Sequence, residues 1–78
     1  MTPEEAGTAL APLTFVCNDW TDAKFAMWCH MVADEAADPD IATQASIQLA
    51  KTITTTFTPP FSAWLDTYRA IRRRAQTP

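Results

Sequence analysis

The sequence predicts an all-α fold, a small compact bundle of about four helices, and three observations carry that expectation. Apolar residues recur at i, i+3, i+4 and i+7 in the later segments, prolines and capping residues punctuate the chain at intervals of one helix, and a single glycine in 78 residues leaves no material for hairpins. One domain is all that this length supports, close to the lower limit for a core without disulfides or metals. With 47% hydrophobic and 19% charged residues the chain is too apolar for intrinsic disorder. Three Trp, four Phe and one Tyr compensate for the shortness, since each large ring buries roughly 150 to 250 Å².

The first helix is expected over residues 3–17. Thr2 is a suitable N-cap, Pro3 occupies the first helical position, and Glu4 and Glu5 lie at the positive end of the helix dipole. Its apolar stripe includes Ala6, Ala9, Leu10 and Leu13, and an interior Pro12 predicts a kink or a division. After a polar break over 18–21, a second helix over 22–34 displays Phe25, Trp28, Cys29 and Val32, with Met27 and Met31 as an apolar flank. So little of its circumference is polar that burial on more than one side is expected.

Asp38 then caps and Pro39 opens a third helix, expected over 39–55 with Ile41, Ala45, Leu49 and Ile53 in one row. The run "TITTTF" at its end favours strand by composition. The row nevertheless continues in helical register to Phe57, and a lone strand has no partner, so helix is the reading. The fourth helix is expected over 60–75, with Phe61, Trp64, Leu65, Tyr68 and Ile71 on one face. The expected core is Leu13, Phe25, Trp28, Val32, Ile41, Leu49, Ile53, Phe57, Trp64 and Leu65.

Charge is unevenly distributed. The net value of −3 disfavours non-specific binding of nucleic acid, yet eight of nine acidic residues lie in the first 40 positions while Arg69, Arg72, Arg73 and Arg74 crowd the end, which implies a charge dipole. Cations in a last turn are favourable against the helix dipole by roughly 0.3 to 1 kcal/mol each. Four in six residues exceed that structural need, so Arg69, Arg72, Arg73 and Arg74, with Tyr68 beside them, are the candidate partner-binding residues. An acidic protein surface suits such a patch; nucleic acid is the secondary choice.

No catalytic, cofactor-binding or metal-ligating site is expected. Cys17, Cys29 and His30 match no zinc spacing, and adjacent residues on a helix point about 100° apart, which separates Cys29 from His30 as a nucleophile and base. Both cysteines read as buried thiols in a reducing compartment rather than as a Cys17–Cys29 disulfide. Asp34, Glu35, Asp38 and Asp40 lack the glycine and closing glutamate of a calcium loop and read as helix punctuation. Neither a phosphate-binding loop nor a serine elbow is present. The acidic start "MTPEEAG" is unlike a signal peptide, and no apolar run is long enough for a membrane span, so a cytoplasmic protein is expected.

One longer pattern joins these elements: an aromatic-rich second helix with Trp28 in its middle, the acidic break Asp38-Pro39-Asp40, an alanine-containing third helix, then Phe57-Thr58-Pro59-Pro60. In order and spacing it resembles the small phage proteins that load and inhibit the replicative DNA helicase. Phe15 or Trp20 would close the first helix, Trp28 with Val32 would stand for the W-x-x-x-[LM] pattern, the segment from Ile41 to Ile53 for the third helix, and Phe57 with Pro59 and Pro60 for the aromatic and double-proline turn. The resemblance implies a non-enzymatic protein in a bacterial host that carries a DnaB-type hexamer, or another replisome component, and holds it inactive. Two other readings stand beside it: a helix-turn-helix DNA-binding protein using the arginine-rich last helix, and a small inhibitor of a host enzyme. In each, large side chains left uncovered among Trp20, Phe25, Met27, Met31, Phe61 and Trp64 would supply an interface.

Overall fold

The computed structural model describes residues 1–76 as four helices: α1 (Pro3–Val16), α2 (Asp22–Glu35), α3 (Pro39–Thr52) and α4 (Phe61–Gln76). No strand occurs among the described residues. The first three helices start where side chains satisfy their free amides. Thr2 Oγ1 accepts from the Glu5 amide at 3.2 Å while Glu5 Oε1 accepts from the Thr2 amide at 3.0 Å, a reciprocal capping box. Thr21 caps α2 through the Lys24 amide, and Asp38 Oδ1 caps α3 through the amides of Asp40 and Ile41. Pro59 and Pro60 precede α4, whose first turn closes from the Ala63 amide to the Pro60 carbonyl at 3.0 Å.

Of the kink or division expected at Pro12 the division is absent, and the expected end of the third helix needs correction. Pro12 does not divide α1, which remains one helix through Val16. The lost amide costs a single ladder bond, and the chain on either side is held by Ala9, Leu10 and Leu13 in the core. The third helix stops at Thr52, not near 55, with Ile53 as its extended C-cap. The β-branched run Ile53–Thr56 leaves helical geometry, and Phe57, expected in the core, is 66% exposed.

α1 packs against both α2 and α3, and α4 runs back along α3. Alanines permit the close α1 to α3 contact: Ala6, Ala9, Ala42 and Ala45 are all buried. Against α2 the approach is tight at Gly7, where an added Cβ would lie 3.3 Å from Phe25 Cζ. Leu10, Leu13, Val32, Trp64 and Tyr68 fill the centre, with Trp28 and Leu49 at its edge. Phe25, Ile41, Ile53 and Leu65 are half-buried against that core, as are Trp20, Met31 and Phe61. Of the large residues expected to reach the surface, only Met27 is mostly exposed.

A path of ring contacts crosses the interior. Phe25 and Trp28 each meet Trp20 edge to face, Trp28 meets Phe61 at 5.1 Å, and Phe61, Trp64 and Tyr68 stack in succession. The polar atoms along it are mostly satisfied. Trp64 Nε1 donates to Ser46 Oγ at 3.0 Å, and that hydroxyl in turn donates to the Ala42 carbonyl. Trp20 Nε1 is the exception, buried without a protein partner, while the Lys24 ammonium lies 5.6 Å from the Trp20 ring centroid. The described chain has a radius of gyration of 11.7 Å and extents of 39 × 28 × 17 Å, and no described helix is long and apolar enough to cross a membrane.

Candidate partner-binding surfaces

The outer face of α4 is built by the same periodicity that fills the core. Trp64, Tyr68 and Ile71 point inward at i, i+4 and i+7 and are buried, which turns Arg69, Arg72, Arg73 and Gln76 outward at their own i, i+3, i+4 and i+7 positions. These four line one shallow depression of about 370 Å³ without a carboxylate in its lining. Arg74 sits round the helix toward α3, beside Gln44, Gln48 and Ile71. Arg72 also borders a depression of about 660 Å³ against Asp38, Pro39 and Ile41.

Tyr68 does not belong to this surface, contrary to expectation. It is 1% exposed, and its hydroxyl accepts from the amides of Ala37 at 3.2 Å and Asp38 at 3.3 Å, tying α4 to the α2–α3 connection. That tie also revises the expected dipole. It places the last turns of α4 beside the end of α2 and the start of α3, so the arginines share one end of the bundle with Asp34, Glu35, Asp38 and Asp40. Arg69 meets Glu35 at 3.7 Å with both side chains about half exposed, a pair of the solvated kind worth roughly 0 to 1 kcal/mol.

The opposite end is closed by a clasp between connections. Asp19 Oδ1 accepts from the Thr58 amide at 2.9 Å and the Thr58 hydroxyl at 2.6 Å, its Oδ2 meets Lys24 Nζ at 3.0 Å, and the Asn18 amide donates to the Thr56 carbonyl. The Thr58 hydroxyl and the Lys24 ammonium hold the Asp19 carboxyl down at about 2. Because Asp19 is depressed below the ordinary carboxylate range, its contribution to stability is present above about pH 4 and lost as pH falls toward 2. Thermal melts between pH 6 and pH 2 will show a smaller acid-induced drop in Asp19→Asn than in the parent; equal drops would remove Asp19 as a source of the acid sensitivity.

Near this clasp in sequence lie three exposed apolar residues, of which Phe57 is the one that helical periodicity assigns to the core. Phe15 is 87% exposed, Val16 41% and Phe57 66%. A signal for Phe15 was available: it stands two residues from Leu13, and that step turns a side chain about 200° from the core. Met27 and Ile47 are exposed singly on α2 and α3, as is ordinary for a small protein.

Cys17 and Cys29 are free and buried, and desolvation raises both thiols above their usual range. His30 is exposed on α2, and no cluster of three or more His, Cys, Asp or Glu with metal-binding geometry occurs among the described residues. The α3–α4 connection runs from Ile53 to Pro60, longer than the turn of about three or four residues in a helix-turn-helix. Comparison with protein-family models, curated proteins and solved structures finds no match for the chain.

Proposed function

We propose that this chain is a non-enzymatic protein-binding module of the cytoplasm that docks through the outer face of α4 onto an acidic surface of a larger protein. The observation that supports this most is the depression shared by Arg69, Arg72, Arg73 and Gln76, lined by guanidinium groups and one amide on a helix whose other side is locked into the core. A rigid helix face of this kind matches a row of carboxylates and gives a fast, salt-sensitive encounter. The partner brought forward by the resemblance is a DnaB-type replicative helicase, with loading or inhibition as the outcome of binding.

Binding of the purified chain to such a hexamer, measured at low and high salt, tests the reading. Wild type binds at micromolar concentration or tighter, and Arg69→Glu with Arg72→Glu weakens binding at least about tenfold with little change in melting temperature, because both side chains are exposed. A complex that ignores the double reversal would remove α4 as the contact. A shift of duplex DNA at low salt, lost in the same variant, would favour nucleic acid instead.

A further inference from the structure

We propose that the end of the bundle bearing Phe15, Val16 and Phe57 is a self-association surface, on which a second copy of this chain docks through the same residues. The hydrogen bond from the Asn18 amide to the Thr56 carbonyl at 2.9 Å draws the three residues to one end: Phe15 and Val16 lie three and two positions before Asn18, and Phe57 follows Thr56. Most large apolar side chains of the protein are at least half covered, so these two phenylalanines are conspicuous in remaining 87% and 66% exposed. Their backbones are anchored, Phe15 in the last turn of α1 and Phe57 next to the Asp19–Thr58 clasp. The ordering cost of docking is correspondingly small.

Area and charge identify the occupant. With about 200 Å² for a phenylalanine, the exposed portions of Phe15, Val16 and Phe57 amount to roughly 350 Å² per copy, or roughly 700 Å² for two. The smallest stable interfaces bury about 1,200 Å², of which about 60% is apolar, so two copies of this patch supply the apolar part of one. The end is also electrically balanced. Residues 15–24 and 51–61 carry two acids, Asp19 and Asp22, and two lysines, Lys24 and Lys51, and Asp19 is already paired with Lys24. A copy of the same surface therefore meets it without like-charge repulsion, whereas a strongly acidic or basic partner gains nothing there. A two-fold arrangement setting Phe15 of one copy against Phe57 of the other satisfies both at once.

Such a dimer leaves the arginine faces at its two outer ends. The assembly presents two docking helices, and a partner with repeated subunits is held by both.

Sedimentation equilibrium of the full chain over about 1 to 500 µM tests the proposal, with Phe15→Ser/Phe57→Ser as the variant and Met27→Ser, 61% exposed on α2, as the control. Wild type and the control are expected to move from 8.6 kDa toward twice that mass with a Kd of about 10 to 100 µM, unchanged in 1 M salt. The double variant is expected to associate at least about tenfold more weakly. Its dilute-solution melting temperature should stay within a few degrees of wild type, since neither ring is packed. Wild type that remains monomeric throughout would overturn the proposal. So would a double variant that dimerises as tightly, or a dimer that salt dissociates, the mark of arginine and carboxylate contacts.

Discussion

Trp64→Ala is expected to remove a large part of the stability of the fold. Trp64 is 0% exposed, stacks between Phe61 and Tyr68, and donates its indole hydrogen to Ser46. Truncating a fully buried tryptophan costs roughly 3 to 5 kcal/mol, and a domain of this length has about 4 to 12 kcal/mol in total. The cavity would open between α3 and α4, whose packing on one another is organised around this ring and Tyr68. Far-UV circular dichroism should record a midpoint lower by about 15 °C or more. Trp64→Phe separates the causes, because it keeps most of the stacking and loses the donor, and its cost should be about 1 to 2 kcal/mol. A Trp64→Ala protein melting within a few degrees of the parent would mean that the ring is not packed as described.

The second large effect is expected at Trp28, 4% exposed. Its ring meets Trp20 at 5.4 Å and Phe61 at 5.1 Å, both edge to face, and so joins the first connection, α2 and the start of α4. Trp28→Ala removes the burial and both ring pairs, roughly 3 to 5 kcal/mol together. The loss should appear in near-UV circular dichroism as well as in the melting midpoint, because the environments of Trp20 and Phe61 change with it. Retention of the wild-type midpoint would refute the packing scheme.

These two residues are legible in the sequence, since each lies in a segment whose apolar spacing is clearly helical. Thr2 and Asp38 cap as expected, Thr21 at the end of the polar break caps α2, and Leu13, Trp28, Val32, Leu49 and Trp64 are buried as periodicity requires. The end of α3 was misread because two signals conflicted: the i, i+4 row through Ile53 to Phe57 spoke for helix, and the β-branched residues ahead of Pro59 and Pro60 spoke against it. Local backbone preference prevailed, and Phe57 moved from core to surface. Tyr68 was misplaced for a different reason. Its spacing with Trp64 and Ile71 already put it on the buried face, and proximity in sequence to the arginines was mistaken for proximity on the surface. The Asp19–Thr58 clasp spans 39 residues, and no local pattern announces a contact of that separation.

The ring path from Trp20 to Tyr68, with the tyrosine hydroxyl fastened to the α2–α3 connection, anchors α4 in the core from Phe61 to Ile71, so that its exposed last turn continues a fixed rod. Whatever grips its arginines meets guanidinium groups on a fixed lattice of helical positions. A substitution among them would change side chains on a helix that is already folded, with no tether whose ordering would add to the measured loss.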